Sequence, residues 1–315
     1  MSGLINHNGF SLAETPSLKG KICVITGGQG GIGQEITANL LKHDISKIYV
    51  LARSSKKFDL AESYWRESHG LASKDIEARV DFVACDLSDM RSVKKVADYL
   101  MGRLQRLDML INNAGLPTVA DYTLCDGIES IWATNVVGHF ELTNILLPKL
   151  EDTARKYGDS RIVVTSSSFH IGCQELKLDL TMSPTRIKSP DAMDSCWRYA
   201  RSKLGTILFT RELARRLEKK GAMNVFANTF FPGNIPTEAM DTWKDLFGSL
   251  GGGVMKGAFH VAGQSPSDGA ATAIYLATSP KVVERNQKGK YFIPVATEDK
   301  TSALAEDKDL ARNVW

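Results

Sequence analysis

A glycine-rich turn separates an apolar segment from an amphipathic segment near the start of the chain. Residues 21–26 (KICVIT) predict a strand, and Ile32, Ile36 and Leu40 then recur every four residues, as on one face of a helix. The turn parses as Gly-x-x-x-Gly-x-Gly on residues 27, 31 and 33, or as Gly-x-Gly-x-x-Gly on 28, 30 and 33. Either parse brings backbone close to a helix N-terminus, whose free N–H groups can bind a pyrophosphate. The feature therefore predicts the first βαβ unit of a nucleotide-binding domain.

Six further apolar or β-branched runs follow, and helical patterns separate most of them. The runs are residues 47–53, 79–86, 107–112, 161–166, 224–231 and 290–294, and the helical patterns include 92–104, 127–150, 199–219 and 268–277. Such alternation is typical of one parallel sheet with helices on both faces. We therefore predict a single α/β domain over residues 1–315, built on a Rossmann-type doubly wound parallel sheet of about seven strands.

The composition is that of an ordinary folded domain. Hydrophobic residues make up 43% and charged residues 24% of the 315 positions, which suits a full hydrophobic core and excludes a disordered or collagen-like chain. The 39 Lys and Arg residues nearly balance the 36 Asp and Glu residues, so nucleic acid is not an expected partner.

Cysteine spacing and hydropathy indicate the compartment. The five cysteines are odd in number and contain no Cys-x-x-Cys pair, so neither a disulfide framework nor a metal site is predicted. The sequence has no apolar run of about 18 residues, and its first twenty residues lack a basic start followed by an apolar stretch. We therefore expect no transmembrane segment and a cytoplasmic protein.

The end of the second predicted strand carries a cation where a dinucleotide-binding chain reads the adenosine ribose. Arg53 lies 20 positions after Gly33. It is followed by Ser54, Lys56 and Lys57, and the first acidic residue after it is Asp59. A carboxylate at this position favours NAD, whereas a cation favours the 2′-phosphate of NADP. The sequence thus predicts NADP(H) as the cofactor.

Two segments interrupt the alternation and are predicted to be substrate loops. Residues 169–198 and 238–264 both follow strands, so they should lie over the carboxyl ends of the sheet, where such folds bind ligands. Both are rich in apolar side chains, namely Ile171, Leu176, Leu178, Leu180, Met240, Trp243, Leu246, Phe247, Val254 and Met255. If they line the cleft, the substrate is a hydrophobic small molecule; the alternative is that they pack among themselves.

Several polar motifs follow the strands in a fixed order. After the glycine turn come Asn112-Asn113-Ala114-Gly115, a helical Asn135, Ser166-Ser167, Tyr199-x-x-x-Lys203 and Pro232-Gly233. In this order the sequence resembles the short-chain dehydrogenase/reductase family over residues 20–294. The segments LARS and SSSFH, the long gap between Ser167 and Tyr199, and the tail LARNVW are similar to its retinol-dehydrogenase-like and WW-domain-oxidoreductase-like branch.

The resemblance implies a role for each matching residue. Tyr199 would be the acid/base, Lys203 would bind the nicotinamide ribose and keep the phenol acidic, and Ser167 would hydrogen-bond the reacting oxygen. Three serines stand together at 166–168, so the neighbouring positions remain open for that last role. Asn135 would hold a water in a proton relay. We expect His139, beside it, to be a packing residue, and His170 to take no part in acyl-transfer chemistry.

The resemblance also implies the cofactor contacts. They are Gly27, Gln29, Gly31, Ile32, Gly33, Arg53, Asp86, Leu87, Asn113, Ala114, Gly115, Tyr199, Lys203, Pro232, Gly233, Ile235 and Thr237. The expected activity is NADP(H)-dependent hydride transfer at a carbonyl or alcohol carbon, as a ketone or aldehyde reductase, in a possible homodimer. The alternatives are a catalytically silent, nucleotide-sensing regulator on the same fold and an NAD-dependent alcohol dehydrogenase.

Overall fold

The computed structural model describes residues 9–119, 121–181, 191–235 and 265–315. Thr237 and the second predicted substrate loop, 238–264, lie outside these residues, as do positions 182–190 of the first loop.

An eight-stranded sheet forms the centre of the protein. The strands in chain order are β1 (Ile22–Thr26), β2 (Lys47–Ala52), β3 (Val80–Ala84), β4 (Met109–Asn112), β5 (Leu124–Cys125), β6 (Ile128–Glu129), β7 (Ser160–Thr165), β8 (Val225–Phe230), β9 (Tyr291–Ile293) and β10 (Thr297–Glu298). The sheet order is β3-β2-β1-β4-β7-β8-β9-β10, and only β10 runs antiparallel to its neighbour. Strands β5 and β6 form a separate hairpin. The predicted doubly wound sheet is confirmed, with β10 as an added edge strand.

Helices cover both faces of this sheet. They are α1 (Gly31–Lys42), α2 (Ser55–His69), α3 (Ser73–Arg79), α4 (Met90–Arg103), α5 (Ser130–Trp132), α6 (Gly138–Tyr157), α7 (Asp191–Lys220), α8 (Pro266–Thr278), α9 (Pro280–Glu284), α10 (Ala303–Glu306) and α11 (Lys308–Val314). A π-helical turn, Ala133–Val137, joins α5 to α6, and 3₁₀ turns lie at Leu12–Glu14, Ser168–Gly172 and Leu178–Thr181.

Alternate side chains of each central strand face opposite helical layers. Ile25 of β1 packs in one buried cluster with α1 and α8, whereas its neighbour Val24 packs in a second cluster with α4, α6 and α7. Because helices cover both faces of these strands, side chains on both faces are apolar. The strands therefore read as continuous apolar runs in the sequence.

Two predictions about local structure are wrong. Tyr199 was expected to open a helix, but α7 begins at Asp191, so residues 191–198 of the predicted first substrate loop are helical. The predicted helix over 127–150 begins only at Ser130, because Asp126 (φ 50°) and Gly127 (φ 81°) form the turn of the β5–β6 hairpin. Left-handed backbone at two successive residues is typical of a two-residue hairpin turn.

In the part of the chain that the structure describes, no helix is both long and apolar enough to cross a membrane.

Candidate active site

A cleft of about 450 Å³ runs along the carboxyl ends of the parallel strands. It crosses the sheet from β2 and β3 on one side to β7 and β8 on the other, with β1 and β4 between them. The strand order reverses direction between β1 and β4, which is where doubly wound sheets bind dinucleotides.

Most of the residues predicted from the sequence line this one cleft. They are Gly27, Gln29, Gly31, Ile32, Arg53, Asp86, Leu87, Asn113, Ala114, Gly115, Ser167, Tyr199, Lys203, Pro232, Gly233 and Ile235. Gly33 and Asn135 do not line it but lie directly behind lining residues. Thr237 is outside the described residues.

The geometry of the glycine turn distinguishes the two parses of its sequence. Gly27 and Gly31 have left-handed φ angles of 66° and 51°, and a Cβ on Gly33 would overlap the Gly27 carbonyl oxygen. Gly30, in contrast, has extended backbone and open space around its Cα. Glycine is therefore favoured at 27, 31 and 33, and a Cβ on Gly28 would also lie only 2.8 Å from Ile25 Cγ2. The open space at Gly30 is what supports the Gly-x-x-x-Gly-x-Gly parse.

Helix α1 begins at this turn without a side-chain cap. Its N-cap is Gly30, which has no side chain to accept a hydrogen bond from the first turn, and Gly31 and Ile32 face the cleft. The N–H groups of the first helical turn are thus available to an anion such as a pyrophosphate.

The cofactor cleft is positively charged at the end of strand β2. Arg53 and Lys57 line it there, and the Ser54 hydroxyl begins helix α2 by accepting a hydrogen bond from the Lys57 N–H at 3.3 Å. Among the lining residues that the structure describes, the one acid is Asp86, whose carboxylate accepts bonds from the Ser88 N–H at 2.9 Å and hydroxyl at 2.7 Å. The lining at this end therefore carries two cations after β2, and its one acid among the described residues lies after β3.

Tyr199, Lys203 and Ser167 meet at the other end of the cleft. Lys203 Nζ lies 5.5 Å from the centre of the Tyr199 ring and donates a hydrogen bond to the Thr165 carbonyl at 3.1 Å. The Ser167 hydroxyl lies close enough to the Tyr199 phenol to lower its pKa. The Ser166 hydroxyl instead donates to the Lys203 carbonyl of helix α7 at 2.9 Å. Of these two serines, Ser167 is the one directed at the phenol.

Burial shifts the pKa values of this pair. It raises the pKa of the Tyr199 phenol to about 12, although the hydrogen bond from Ser167 opposes the shift. Burial also lowers the pKa of the Lys203 ammonium to about 8. Desolvation is the largest cause of the shift at Tyr199, and its direction is opposite to the expected acidification of the phenol. Near neutral pH, Tyr199 holds its proton and Lys203 is mostly charged.

Comparison with known proteins places the chain in a family. The profile of the short chain dehydrogenase family matches residues 21–172. Human retinol dehydrogenase 14 is 33% identical over 95% of this chain and 85% of its own length, and a short-chain dehydrogenase/reductase of Armillaria gallica is 32% identical over 97% and 91%. The chain belongs to the short-chain dehydrogenase/reductase family. Retinol dehydrogenase 14 also agrees with the retinol-dehydrogenase-like part of the predicted branch.

A solved structure of another protein shares the fold. L-sorbose reductase from Gluconobacter frateurii, solved with NADPH and L-sorbose, superposes with a TM-score of 0.62 at 22% identity, over 91% of this chain and 99% of that protein. The predicted fold class and family resemblance are thus confirmed.

Asn135 of this family member connects two walls of the cleft. Its side-chain oxygen accepts from the Leu116 N–H at 2.7 Å, and its Nδ2 donates to the Leu116 carbonyl at 3.1 Å and the Ser202 hydroxyl at 3.0 Å. A Cβ on Gly115 would lie 3.2 Å from Asn135 Oδ1 and 3.6 Å from Lys203 Nζ. Asn135 therefore joins the segment after β4 to helix α7, directly beside Lys203.

The first predicted substrate loop contributes an aromatic residue rather than the aliphatic ones. Phe169 lines the cleft, with its ring edge-to-face against Tyr199 at 5.7 Å between centroids. Ile171 is 64% exposed and Leu176 packs in a buried cluster with Leu204, so the expectation that these two line the cleft is wrong. The 3₁₀ turn Ser168–Gly172, whose N-cap is Ser167, places Phe169 in the cleft and Ile171 at the surface.

Sequence reasoning missed a buried arginine beside the site. Arg198, directly before Tyr199, donates to Glu129 at 3.1 Å, to Asp194 at 2.7 Å and to the Val119 carbonyl at 2.8 Å. Arg198 and Glu129 are each only 2% exposed. Its neighbours one helical turn away are Asp194, Ser195, Arg201 and Ser202, so no apolar stripe in the sequence singles it out.

Proposed function

We propose that this protein is an NADP(H)-dependent reductase that converts a carbonyl group of a hydrophobic small molecule to an alcohol. The observation that carries the proposal is the placement of two groups of residues in one cleft. Tyr199, Ser167 and Lys203 lie together at one end, and Arg53 and Lys57 lie at the other. The glycine turn between them fits a dinucleotide, because a side chain at Gly33 would overlap the backbone that forms the cradle.

In this proposal the bound cofactor supplies the hydride that adds to the carbonyl carbon. Tyr199 gives the proton to the carbonyl oxygen, so hydride and proton together complete the alcohol. Ser167 donates a hydrogen bond to that oxygen as negative charge develops on it. The Lys203 ammonium would stabilise the phenolate that remains until solvent returns the proton, and it would bind the nicotinamide ribose.

The protonation state of Tyr199 suits the proton-donor step. Burial raises the pKa of its phenol to about 12, so the residue holds its proton near neutral pH. We assign reduction as the direction because NADPH is the cofactor expected from Arg53.

Cofactor choice gives a direct test. We expect NADPH to bind at least about tenfold more tightly than NADH, because a charge-assisted bond from Arg53 to the 2′-phosphate contributes about 1.5–3 kcal/mol. Arg53→Asp should reverse this order. Titration of both cofactors by fluorescence, against wild type and variant, measures the four dissociation constants.

Lys56→Asp is the matched control for that test. It makes the same charge change three positions away, on an exposed residue that does not line the cleft. The control should keep the NADPH preference to within about threefold, since surface charges contribute little. Equal affinities of the wild type for NADPH and NADH would contradict the assignment of Arg53.

The substrate end of the cleft supports an apolar substrate. Leu116, Pro117, Phe169 and Phe231 line it around Tyr199. Burial of apolar surface contributes roughly 25 cal/mol per Å², which favours a bulky ketone or aldehyde over a sugar or a short hydroxy acid.

A series of methyl ketones with growing apolar bodies tests this preference. We expect kcat/KM with NADPH to rise with the size of the apolar group and to exceed that of a ketose sugar of similar length. A value that falls along the series, or a sugar as the best substrate, would show that the cleft is narrower or more polar than proposed.

Two further proposals concern the setting of the protein. We propose a cytoplasmic location and a homodimer as the form in solution, both of which stay predictions from the sequence. Cell fractionation and analytical ultracentrifugation are the measurements that test them.

A further inference from the structure

The buried His139 uses both of its ring nitrogens at the back of the cleft. It lies on helix α6, one turn after Asn135, and is 2% exposed. Its Nδ1 is 3.0 Å from the Asn135 carbonyl oxygen, and its Nε2 is 2.9 Å from the Thr26 hydroxyl at the end of β1. The ring therefore spans the gap between the π-helical turn and the central strand.

The partners of Thr26 determine the tautomer of this histidine. Thr26 Oγ1 accepts hydrogen bonds from the N–H groups of Asn113 and Ala114, both at 2.9 Å. Two accepted bonds occupy both lone pairs of the oxygen, so its own proton is left to donate to His139 Nε2. Nε2 thus carries no proton, and Nδ1 carries the proton that it donates to the Asn135 carbonyl.

Burial keeps His139 in this neutral form. Desolvation lowers the pKa of its imidazole to about 4, with the charge of Lys203 acting in the same direction. A proton on Nε2 would also face a hydroxyl oxygen whose lone pairs are already used. Near neutral pH, Nδ1 therefore stays the hydrogen-bond donor of the ring and Nε2 stays its acceptor.

We propose that His139 is a positioning residue that fixes the backbone carbonyl of Asn135 and, through Thr26, the Asn113–Ala114 turn of the cofactor cleft. One arm of the ring, through Nδ1, holds the backbone carbonyl of Asn135, the residue whose side chain bonds Leu116 and Ser202. The other arm, through Nε2, holds the Thr26 hydroxyl, which accepts hydrogen bonds from the Asn113 and Ala114 N–H groups of the cleft wall. The expectation that His139 is only a packing residue is therefore replaced by a polar role.

The two arms act on different parts of the reaction. The proposal rests on the proposed function, in which proton transfer proceeds from Tyr199 beside Lys203 and Asn135. Release of the Asn135 carbonyl lets the π-helical turn reorient, which should slow the proton-transfer step. Release of Thr26 loosens the Asn113–Ala114 turn, which should weaken cofactor binding instead. The network thus predicts a separation of kcat from the dissociation constant for NADPH.

Three substitutions of His139 separate the arms. His139→Asn places an amide N–H close to the original Nδ1 and cannot reach Thr26, whereas His139→Gln places its amide close to the original Nε2 and cannot serve Asn135. His139→Leu removes both. We expect about a tenfold loss of kcat in the Gln and Leu variants, the equivalent of one buried hydrogen bond, with a raised solvent isotope effect. We expect about a tenfold weaker NADPH affinity in the Asn and Leu variants.

His43 is the matched control. Its Nδ1 lies 2.9 Å from the Asn39 carbonyl, four residues earlier on helix α1, so it repeats the local contact away from the lining of the cleft. His43→Leu should leave kcat, the isotope effect and the NADPH dissociation constant within about twofold of wild type, as surface substitutions usually do.

The outcomes decide the proposal even where a variant folds poorly. Equal losses of kcat and affinity in all three His139 variants, in proportion to their loss of unfolding free energy, would show a merely structural role. An ¹⁵N correlation spectrum of the wild-type imidazoles supplies a second measurement, and a proton on Nε2 of His139 would overturn the assignment. If no carbonyl compound is turned over, the proposed function fails, but the spectrum and the NADPH affinities still test the Thr26 arm.

Discussion

Replacing Tyr199 by Phe is expected to lower kcat for carbonyl reduction by at least about a hundredfold, the usual contribution of a general acid. The substitution removes only the phenol oxygen, which hydrogen-bonds Ser167 and faces the substrate end of the cleft. The dissociation constant for NADPH should therefore stay within about twofold. Steady-state kinetics with a hydrophobic ketone and a fluorescence titration of NADPH measure the two quantities.

Tyr275→Phe is the matched control for this variant. The Tyr275 hydroxyl is also buried, and it donates to Gln287 at 2.8 Å in the opposite helical layer, so its removal should reduce stability without changing kcat. Near-normal turnover by Tyr199→Phe would contradict the proposed acid. NADPH binding without turnover of any carbonyl by the wild type would instead support the silent, nucleotide-sensing alternative.

Lys203 adds a comparison with Tyr199. Because its ammonium lies beside both the phenol and Asn135, Lys203→Ala should lower kcat and weaken NADPH binding together. Tyr199→Phe should lower kcat alone, whereas Lys203→Ala should change both kcat and the dissociation constant for NADPH. Comparing them separates the contribution to proton transfer from the contribution to cofactor binding.

Replacing Arg198 by Met is expected to lower the free energy of unfolding by about 3–5 kcal/mol. The substitution leaves the Glu129 carboxylate buried without its guanidinium partner, which is costly in a medium of low dielectric constant. It also releases the Val119 carbonyl, next to the cleft-lining segment at Leu116 and Pro117. Urea denaturation followed by circular dichroism measures the loss.

Two further variants test the origin of this loss. The double variant Arg198→Met with Glu129→Gln should recover part of the stability, because the buried side chain at position 129 then carries no unpaired charge. Arg91→Met is the control: Arg91 is 87% exposed and its contact with Asp89 is 3.5 Å, so the change should stay below about 0.5 kcal/mol. A loss below about 1 kcal/mol in Arg198→Met would show that the buried pair contributes little.

The parts of the fold predicted from sequence are those determined by local patterns. Strands β1, β2, β4, β7 and β8 are buried on both faces, so their runs of apolar residues were visible directly. The start of α7 was not visible, because its first turns carry polar residues around Asp194 and lie beside the site. Strands β5 and β6, of two residues each, are too short to produce an alternating pattern.

The same distinction applies to the candidate site. The glycine turn and the Tyr199–Lys203 spacing are local, and the structure brings these residues into one cleft. The partners of His139 and Arg198 come from distant parts of the chain, such as Thr26 and Val119, and single-sequence reasoning has no access to them. These contacts depend on tertiary packing, which also explains why Ile171 faces solvent while Phe169 lines the cleft.

The strand order of the sheet has a consequence for the way this protein is made. Strand β1 hydrogen-bonds β2 on one side and β4 on the other, pairing Ile25 with Ile111 across a long stretch of chain. During synthesis the glycine turn and β2 leave the ribosome while β4 is still missing, so one edge of β1 is unpaired and prone to wrong pairing. Closing such distant contacts is slow, because chain entropy is lost before the contacts form. A nascent chain stalled before β4 would therefore carry the glycine turn and Arg53 but lack the Asn113–Gly115 wall of the cleft.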